Sequence, residues 1–454
     1  MNLQLSDIAI AVQGQLIGAD IAFRGVGIDT RTLQAGDLYV ALKGKQFDGH
    51  DFVDKAQQAG AIAILVEKSI NTPLPQIIVS DSRLALAQLA GFWRQQLPVK
   101  VVGVTGSNGK TTVKEMIAAI LATQGETLFT QGNLNNDIGV PLTLLKLKTI
   151  HRFAVIEMGA NHPGEIAYTS QYAAPQVSVI NNVGAAHIEG FGDLQGVAKT
   201  KGEIIQSLAN DGVAVINRDD AFYDFWCDLA QSRKIVSFGL SQQADIQAEK
   251  ISSQLENNGY VTEFELKVDG VDALTIKLNL AGEHNVKNAL AATAAALQFG
   301  IDLPDIKRGL ESVKPVLGRM QPLRGRKGNL IIDDTYNANP SSLNAALEAL
   351  NPNQINWLVL GAFGELGADS AEIHRQMGDS IKAMSVQRLF ATGALAKHSV
   401  EAFGAGAQYF ETQQQLIAAL DEAVTGRETL LVKGSRSQKM ENVVAAMVDN
   451  FRAA

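Results

Sequence analysis

The residues best suited to chemistry stand together in Thr105-Gly106-Ser107-Asn108-Gly109-Lys110-Thr111-Thr112. Two glycines and no bulky side chain let the backbone curl round an anion with its N–H groups facing it. Lys110 adds a positive charge, and a following hydroxyl can reach Mg2+. The chemistry predicted is the binding of nucleotide phosphate. The usual phosphate loop, G-x-x-x-x-G-K-[ST], would need glycine at 104, where Val104 stands. A tight strand-to-helix turn with an exposed lysine is the plainer alternative, but a bare turn does not require the Lys-Thr-Thr sequel.

Other polar residues stand at the ends of apolar runs. Glu157 closes Phe153-Ala154-Val155-Ile156, and a carboxylate at a strand end near phosphates suits Mg2+, which prefers oxygen. Val177 to Val183 leads to His187, which should lie at the same end of the sheet. Lys199 and Lys201 begin a helix, and spacing alone selects neither. Gly132 to Pro141 is dense in Asn and Gly, including Asn133, Asn135 and Asn136, and reads as a polar loop or a long turn. His284, Asn285 and Asn288 share one end of an Ala-rich helix, where amides could read a base edge or simply cap the helix. Thr30, Arg31, Lys43, Lys45 and His50 could form an anion or nucleotide-sugar pocket, or ordinary turns with solvated charges. Both readings stay open.

The elements that must position these groups follow from periodicity. Val101 to Val104 is a β-branched run that predicts a buried parallel strand. Val113, Met116, Ile117, Ile120 and Leu121 fall on one helical face behind the loop. Residues 1–81 predict a small α/β unit, and residues 83–98 a linker helix. Residues 245–280 alternate with period two, with hairpin turns at Asn258-Gly259 and Asp269-Gly270. Pro315 and Gly318 mark a second boundary. Beyond it strands and helices alternate as in a doubly wound sheet whose first strand ends in Asp333-Asp334-Thr335-Tyr336-Asn337-Ala338-Asn339. The expected class is α/β with three domains. Residues 1–81 form a small N-terminal module and residues 315–454 a Rossmann-like C-terminal domain. Between them, 82–314 form a P-loop-type ATPase domain with a mostly parallel sheet and an antiparallel patch.

The bulk properties narrow the class. A chain of 454 residues exceeds one ordinary core. With 46% apolar and 19% charged residues it suits a folded globular protein. A net charge of −8 argues against nucleic acid as a partner. One cysteine, Cys227, permits neither an internal disulfide nor a Cys-based zinc site. No run reaches the roughly 18 apolar residues of a membrane span. Met1-Asn2-Leu3-Gln4 does not open a signal peptide, so a cytoplasmic location is expected.

Taken in order, these motifs resemble the Mur ligase family over nearly the whole chain. Within it they are most similar to the branch that joins D-alanyl-D-alanine to UDP-N-acetylmuramoyl-tripeptide in bacterial peptidoglycan synthesis. Thr105 to Thr112 resembles the family's ATP loop, which explains Val104. Gly132 to Leu145 resembles its GNxNNxIGxPLTLL segment. The resemblance implies ATP, two Mg2+ ions and an acyl-phosphate intermediate. It assigns Lys110 to the β/γ-phosphates, Thr111 and Glu157 to one metal, and His187 with a carbamylated Lys201 to the second. It assigns Asn285, Asn288, Arg319 and Asp334 to ATP. Thr30, Arg31, Asp48, Gly49, His50, Asn133, Asn135, Asn136, Tyr336, Asn337 and Asn339 are assigned to the other substrates. It implies a monomer. One departure is Leu360-Gly361-Ala362-Phe363-Gly364-Glu365, where the family usually has Asp in place of Ala362. The alternatives are a sister ligase adding the third amino acid, a folylpolyglutamate synthase-like ligase, and a non-ligase ATPase.

Overall fold

The computed structural model describes residues 1–184, 188–241, 243–256, 259–269 and 271–449. Its strands form three main sheets and one small antiparallel pair, Leu3–Gln4 with Ala22–Phe23. The first main sheet runs Gln15–Ile17, Gln76–Ile78, Ala63–Val66, Asp37–Val40, Gly25–Gly27. All its pairs are parallel except the first. The apolar runs near 38–42, 61–66 and 77–79 are thus strands. Gln15–Ile17 and Gly25–Gly27 escaped the sequence reading because neither is an apolar run long enough to stand out.

The linker helix is Ser82–Gln95, capped by Asp81, whose carboxylate accepts from Arg83 N and Leu84 N. Its two apolar faces belong to different cores. Leu86 and Leu89 pack with Leu38, Leu65 and Ile77 of the first sheet. Ala90 and Trp93 pack with Val101, Ile156 and Ile180 of the second. A helix shared in this way is a joint with little freedom, because bending it would uncover both faces.

The second sheet has nine strands. Lys100–Thr105 lies between Phe153–Glu157 and Val177–Ile180, parallel to both. Val102 and Val104 face one core and Val101 the other, as strand alternation requires. Full burial of such a valine stabilises by roughly 1.5–3 kcal/mol. The chain crosses from Phe153–Glu157 on one side of the phosphate-loop strand to Val177–Ile180 on the other. That reversal opens a crevice at the strands' C-terminal ends, where Thr105, Glu157 and Asn181 stand. The antiparallel patch, Ile246–Glu256, Gly259–Val268 and Val271–Leu278, extends this same sheet through a single parallel register pair, Phe238 with Ile246. Asn258 and Gly270, from the expected hairpin turns, lie outside the described residues.

The third sheet runs Gln321–Arg324, Leu330–Asp334, Glu428–Lys433, Ile355–Gly361, Arg388–Thr392, Ala407–Phe410. It is parallel apart from its first strand, a Rossmann-like arrangement. Register sets Asp334 opposite Lys433. Among the described residues no helix is long and apolar enough to cross a membrane.

Candidate active site

The phosphate loop enters the helix Lys110–Ala122 through Gly109, which has φ of 75°. A Cβ there would lie 2.5 Å from both Asn181 Nδ2 and Asn288 Oδ1, so glycine is required on both conformational and steric grounds. No side chain caps this helix, which leaves its first N–H groups for an anion. Lys110 Nζ donates to Gly106 O at 2.7 Å and Ser107 O at 3.3 Å. The ammonium therefore closes the loop on itself, and burial lowers its pKa while the Glu157 carboxylate nearby raises it.

A cleft of about 930 Å³ lies over this loop. It is lined by Ser107 to Thr112, Asn133, Asn135, Asn136, Glu157, Lys201, Asn285, Asn288, Arg319, Asp334, Tyr336, Asn337 and Asn339. Residues from two of the three sheets thus meet at one place. Thr105 does not line the cleft: it is fully buried and its Oγ1 donates to Met158 O at 2.9 Å. Strand alternation turns its side chain into the sheet, so any role toward ATP falls to its backbone.

Glu157 is buried at the end of its strand. Its Oε1 accepts from Asn135 Nδ2 at 2.8 Å, and its Oε2 has no partner among the described residues. An unpartnered carboxylate oxygen in a buried position is unfavourable unless a cation completes it. That oxygen suits Mg2+, and Thr111, Asn133, Asn135 and Asn136 line the same cleft. Lys201 is also buried, lines the cleft and has no hydrogen-bond or ion-pair partner among the described residues. Burial, reinforced by the positive Lys110, depresses its pKa well below the ordinary lysine value. Lys199 is exposed and lies outside the cleft, a distinction spacing could not make. His187 lies outside the described residues. Among those described, no three His, Cys, Asp or Glu gather as a metal cluster; Glu157 alone of the expected metal set is of that kind and described.

The third unit reaches across to the loop. Arg319 Nη2 donates to Thr111 Oγ1 at 3.1 Å. Its guanidinium covers Tyr336 at 4.3 Å from the ring centroid, while its Nε is buried without a partner among the described residues. Asn339 Nδ2 donates to Asn108 Oδ1 at 2.7 Å, and Asn108 Nδ2 donates to Ser341 Oγ at 2.8 Å. Asn339 also caps the helix Pro340–Glu348. Asp334 Oδ2 accepts from the buried Lys433, whose Nζ also donates to Asn337 O at 3.3 Å. Ala362 is buried with its carbonyl accepting from Ser435 Oγ at 2.8 Å; nothing here explains the missing carboxylate.

Several residues the sequence reading passed over hold the loop from beneath. Asn182 Oδ1 accepts from Asn108 N at 2.8 Å, and Asn181 Nδ2 donates to Asn108 O at 2.9 Å. Asn181 Nδ2 also donates to Asn288 Oδ1 at 2.8 Å, and Asn288 Nδ2 to Asn285 Oδ1 at 3.0 Å. Asn285 Nδ2 donates to Ala281 O. The amides expected to read a base edge are therefore bonded to one another and, through Asn181, linked to the loop. Burial lowers the His284 pKa to about 4, so that ring is neutral near pH 7. Two asparagines ending an apolar strand at the sheet's C-terminal edge were the signal available for Asn181 and Asn182.

The N-terminal candidates do not line this cleft. Arg31 makes a bidentate pair with Asp29 on the surface. His50 is buried: its Nε2 accepts from Glu67 N at 2.8 Å, which puts the ring proton on Nδ1, facing Asp48. Both ring nitrogens are occupied, so His50 shapes the loop instead of offering a ligand contact. Gly49 packs against the Leu42 backbone, where a Cβ would come within 2.7 Å. Thr30 is half-buried in the turn beside Asp29.

Comparison with known proteins agrees with this geometry. Family models match residues 22–99 (Mur ligase family, catalytic domain), 104–296 (Mur ligase middle domain) and 318–436 (Mur ligase, glutamate ligase domain). The UDP-N-acetylmuramoyl-tripeptide–D-alanyl-D-alanine ligase of Escherichia coli (strain K12) is 43% identical over 453 residues, 99% of each chain. A crystal structure of MurF from Acinetobacter baumannii superposes with a TM-score of 0.92 at 36% identity, covering 98% of each chain. MurF ligase from Thermotoga maritima in complex with ADP gives 0.83 at 31% identity, covering 93% of this chain and 96% of that one. The phosphate loop, the three-unit architecture and these full-length relatives together make the chain a member of the Mur ligase family.

Proposed function

We propose that the chain is an ATP-dependent amide ligase that joins D-alanyl-D-alanine to UDP-N-acetylmuramoyl-tripeptide in peptidoglycan precursor synthesis. The observation that carries this is the meeting of the phosphate loop, the orphan Glu157 oxygen and Arg319 of the third unit in one cleft. The full-length relatives of that name support the choice of substrates.

A carboxylate is a poor electrophile, and ATP converts it to an acyl phosphate before an amine attacks. In this reading Lys110 leaves the carbonyls of Gly106 and Ser107 for the β/γ-phosphates, which also take the free N–H groups of the helix start. Arg319 moves from Thr111 to the transferring phosphoryl group, where charge develops. Asn133, Asn135, Asn136, Tyr336, Asn337 and Asn339 orient the two remaining substrates, and Thr30, Arg31 and the Asp48-Gly49-His50 loop receive the nucleotide end. Two Mg2+ ions, held by Thr111 and Glu157 and by His187 and Lys201, would neutralise the approaching anions.

Lys201 fits this role once carbamylated. Its depressed pKa favours the neutral amine, whose nitrogen can attack CO2 and release a proton, leaving a carbamate oxygen donor. Closure of the third unit excludes water from the acyl phosphate. The reading also takes the chain as a cytoplasmic monomer.

The test is phosphate release with ATP, Mg2+, UDP-N-acetylmuramoyl-tripeptide and a panel of amines. D-Ala-D-Ala should stimulate release strongly. Diaminopimelate, lysine and glutamate, the acceptors suited to the rival ligases, should not. Release indifferent to every amine would defeat the ligase reading.

A further inference from the structure

Lys114 is 1% exposed, does not line the cleft and takes no part in the mechanism above. It lies one turn beyond Lys110 on the same helix. Its Nζ donates to Thr130 O at 2.7 Å and lies 2.9 Å from Glu115 Oε1. It also covers the Phe129 ring, 5.4 Å from the centroid. Burying an ammonium is unfavourable unless its contacts are good, so what it holds deserves explanation.

It holds Thr130, itself fully buried. Thr130 N donates to Val155 O at 3.1 Å, and Thr130 Oγ1 accepts from Glu157 N at 3.0 Å. Thr130 thus brackets the last residue of the Glu157 strand. The strand before it, Thr127–Phe129, is a three-residue sheet edge paired on one side only. The loop after it carries Asn135, which fixes Glu157 Oε1. A short edge strand is weakly held by its own ladder, and Lys114 ties it to the helix.

We propose that Lys114 is a positioning residue for the Glu157 carboxylate, acting through Thr130 and the Asn135 loop to aim the free oxygen at a divalent cation. This rests on Glu157 being a cation ligand, as in the function proposed above. The ammonium acts at a distance: it keeps the edge strand and the loop in register with the phosphate-loop helix, so one rigid bracket carries both the carboxylate and the phosphate cradle.

The test uses the full-length chain with Lys114→Met, Lys114→Gln and Thr130→Val. The readouts are Mn2+ affinity by electron paramagnetic resonance with ADP present, half-saturating Mg2+ for turnover, and amide exchange over 130–137. Lys114→Met should weaken Mn2+ about tenfold or more, in the range of lost outer-shell partners. Half-saturating Mg2+ should rise in parallel while kcat at saturating Mg2+ changes little. Exchange should speed over 130–137 and stay slow over 101–105. Lys114→Gln, which keeps a donor for Thr130 O, should recover part of the affinity. Thr130→Val should reproduce the metal effect, and it carries the test should Lys114→Met fail to fold. Mn2+ affinity within twofold of the parent in the folded variants, with only a lower melting temperature, would overturn the proposal. A parent that binds Mn2+ normally but ignores D-Ala-D-Ala would sink the substrate assignment and leave this inference standing.

Discussion

The central cleft and the N-terminal turn cluster are both rich in charged and amide groups, yet they treat them oppositely. In the cleft, Glu157 Oε2, Asn181 Oδ1 and Arg319 Nε are buried without partners among the described residues, and Lys201 has none either. Lys110 rests on two carbonyls. In the N-terminal cluster, Asp29 and Arg31 satisfy each other, and His50 uses both nitrogens. A fold tolerates unsatisfied polar groups where a ligand completes them, because the desolvation penalty is offset on binding. The cleft is therefore poised for charge, whereas the described side chains of the N-terminal cluster are largely satisfied by one another.

The largest expected effect breaks the cleft side of this contrast. Lys110→Met should lower kcat/KM by about 10²–10³-fold or more, as loss of a preorganised charge at a developing anion does, measured by phosphate release. The fold should survive, since among the described residues Lys110 hydrogen-bonds only to loop carbonyls.

Next comes Lys201. Lys201→Met should remove most ligase activity, whereas exposed Lys199→Ala should stay within about twofold, as surface changes away from a site do. Equal retention of activity by both variants would remove Lys201 from the mechanism. Stability should move the other way. The folded pKa of Lys201 is depressed, so between that folded value and the unfolded value of about 10.4 the unfolded chain binds a proton that the folded chain refuses. That penalty is full below the folded pKa and fades as pH rises toward the unfolded one. In CO2-free buffer Lys201→Met should therefore melt above the parent near neutral pH, with the gap closing as pH approaches 10. A gap that widens with pH would contradict the assignment.

Smaller effects test the scaffold side. His50→Ala strands Glu67 N and leaves the Asp48 carboxylate only the backbone N–H of residue 50, and should cost about 1–3 kcal/mol, read as a lower denaturant midpoint with kcat kept. Arg31→Ala should be the mildest in stability. Its side chain is 86% exposed and exposed pairs contribute little, so the melting temperature should not move. KM for the UDP-linked substrate should rise severalfold at constant kcat, the mark of a uniform binding contact. A fall in kcat instead would place Arg31 with the cleft.

Much of this was legible beforehand. The β-branched run at 101–104, the helical face from Val113 to Leu121 and the strand ending in Glu157 are local patterns whose periods dictate their elements. The three-unit organisation followed from the same punctuation. Short strands such as Gln15–Ile17 and Gln321–Arg324 were not legible, since neither is an uninterrupted apolar run. Nor were the supports of the loop, Asn181, Asn182 and Thr130, which are ordinary polar residues until a sheet sets them beside Asn108 and Glu157.

By itself the sequence, through residue types and spacing, pointed to a phosphate-binding loop around Lys110 between a buried strand and a helix, since a bare turn does not require the Lys-Thr-Thr sequel. It also determined, through motif order, the resemblance to one ligase family. Tertiary packing set which groups line the cleft. Strand alternation turned Thr105 inward, and the buried phase of the Leu194–Gln206 helix took Lys201 and left Lys199 in water. Packing left Glu157 Oε2 without a partner among the described residues while giving both ring nitrogens of His50 one. Those outcomes depend on which neighbours remain unpaired after folding, and only the packed chain defines them.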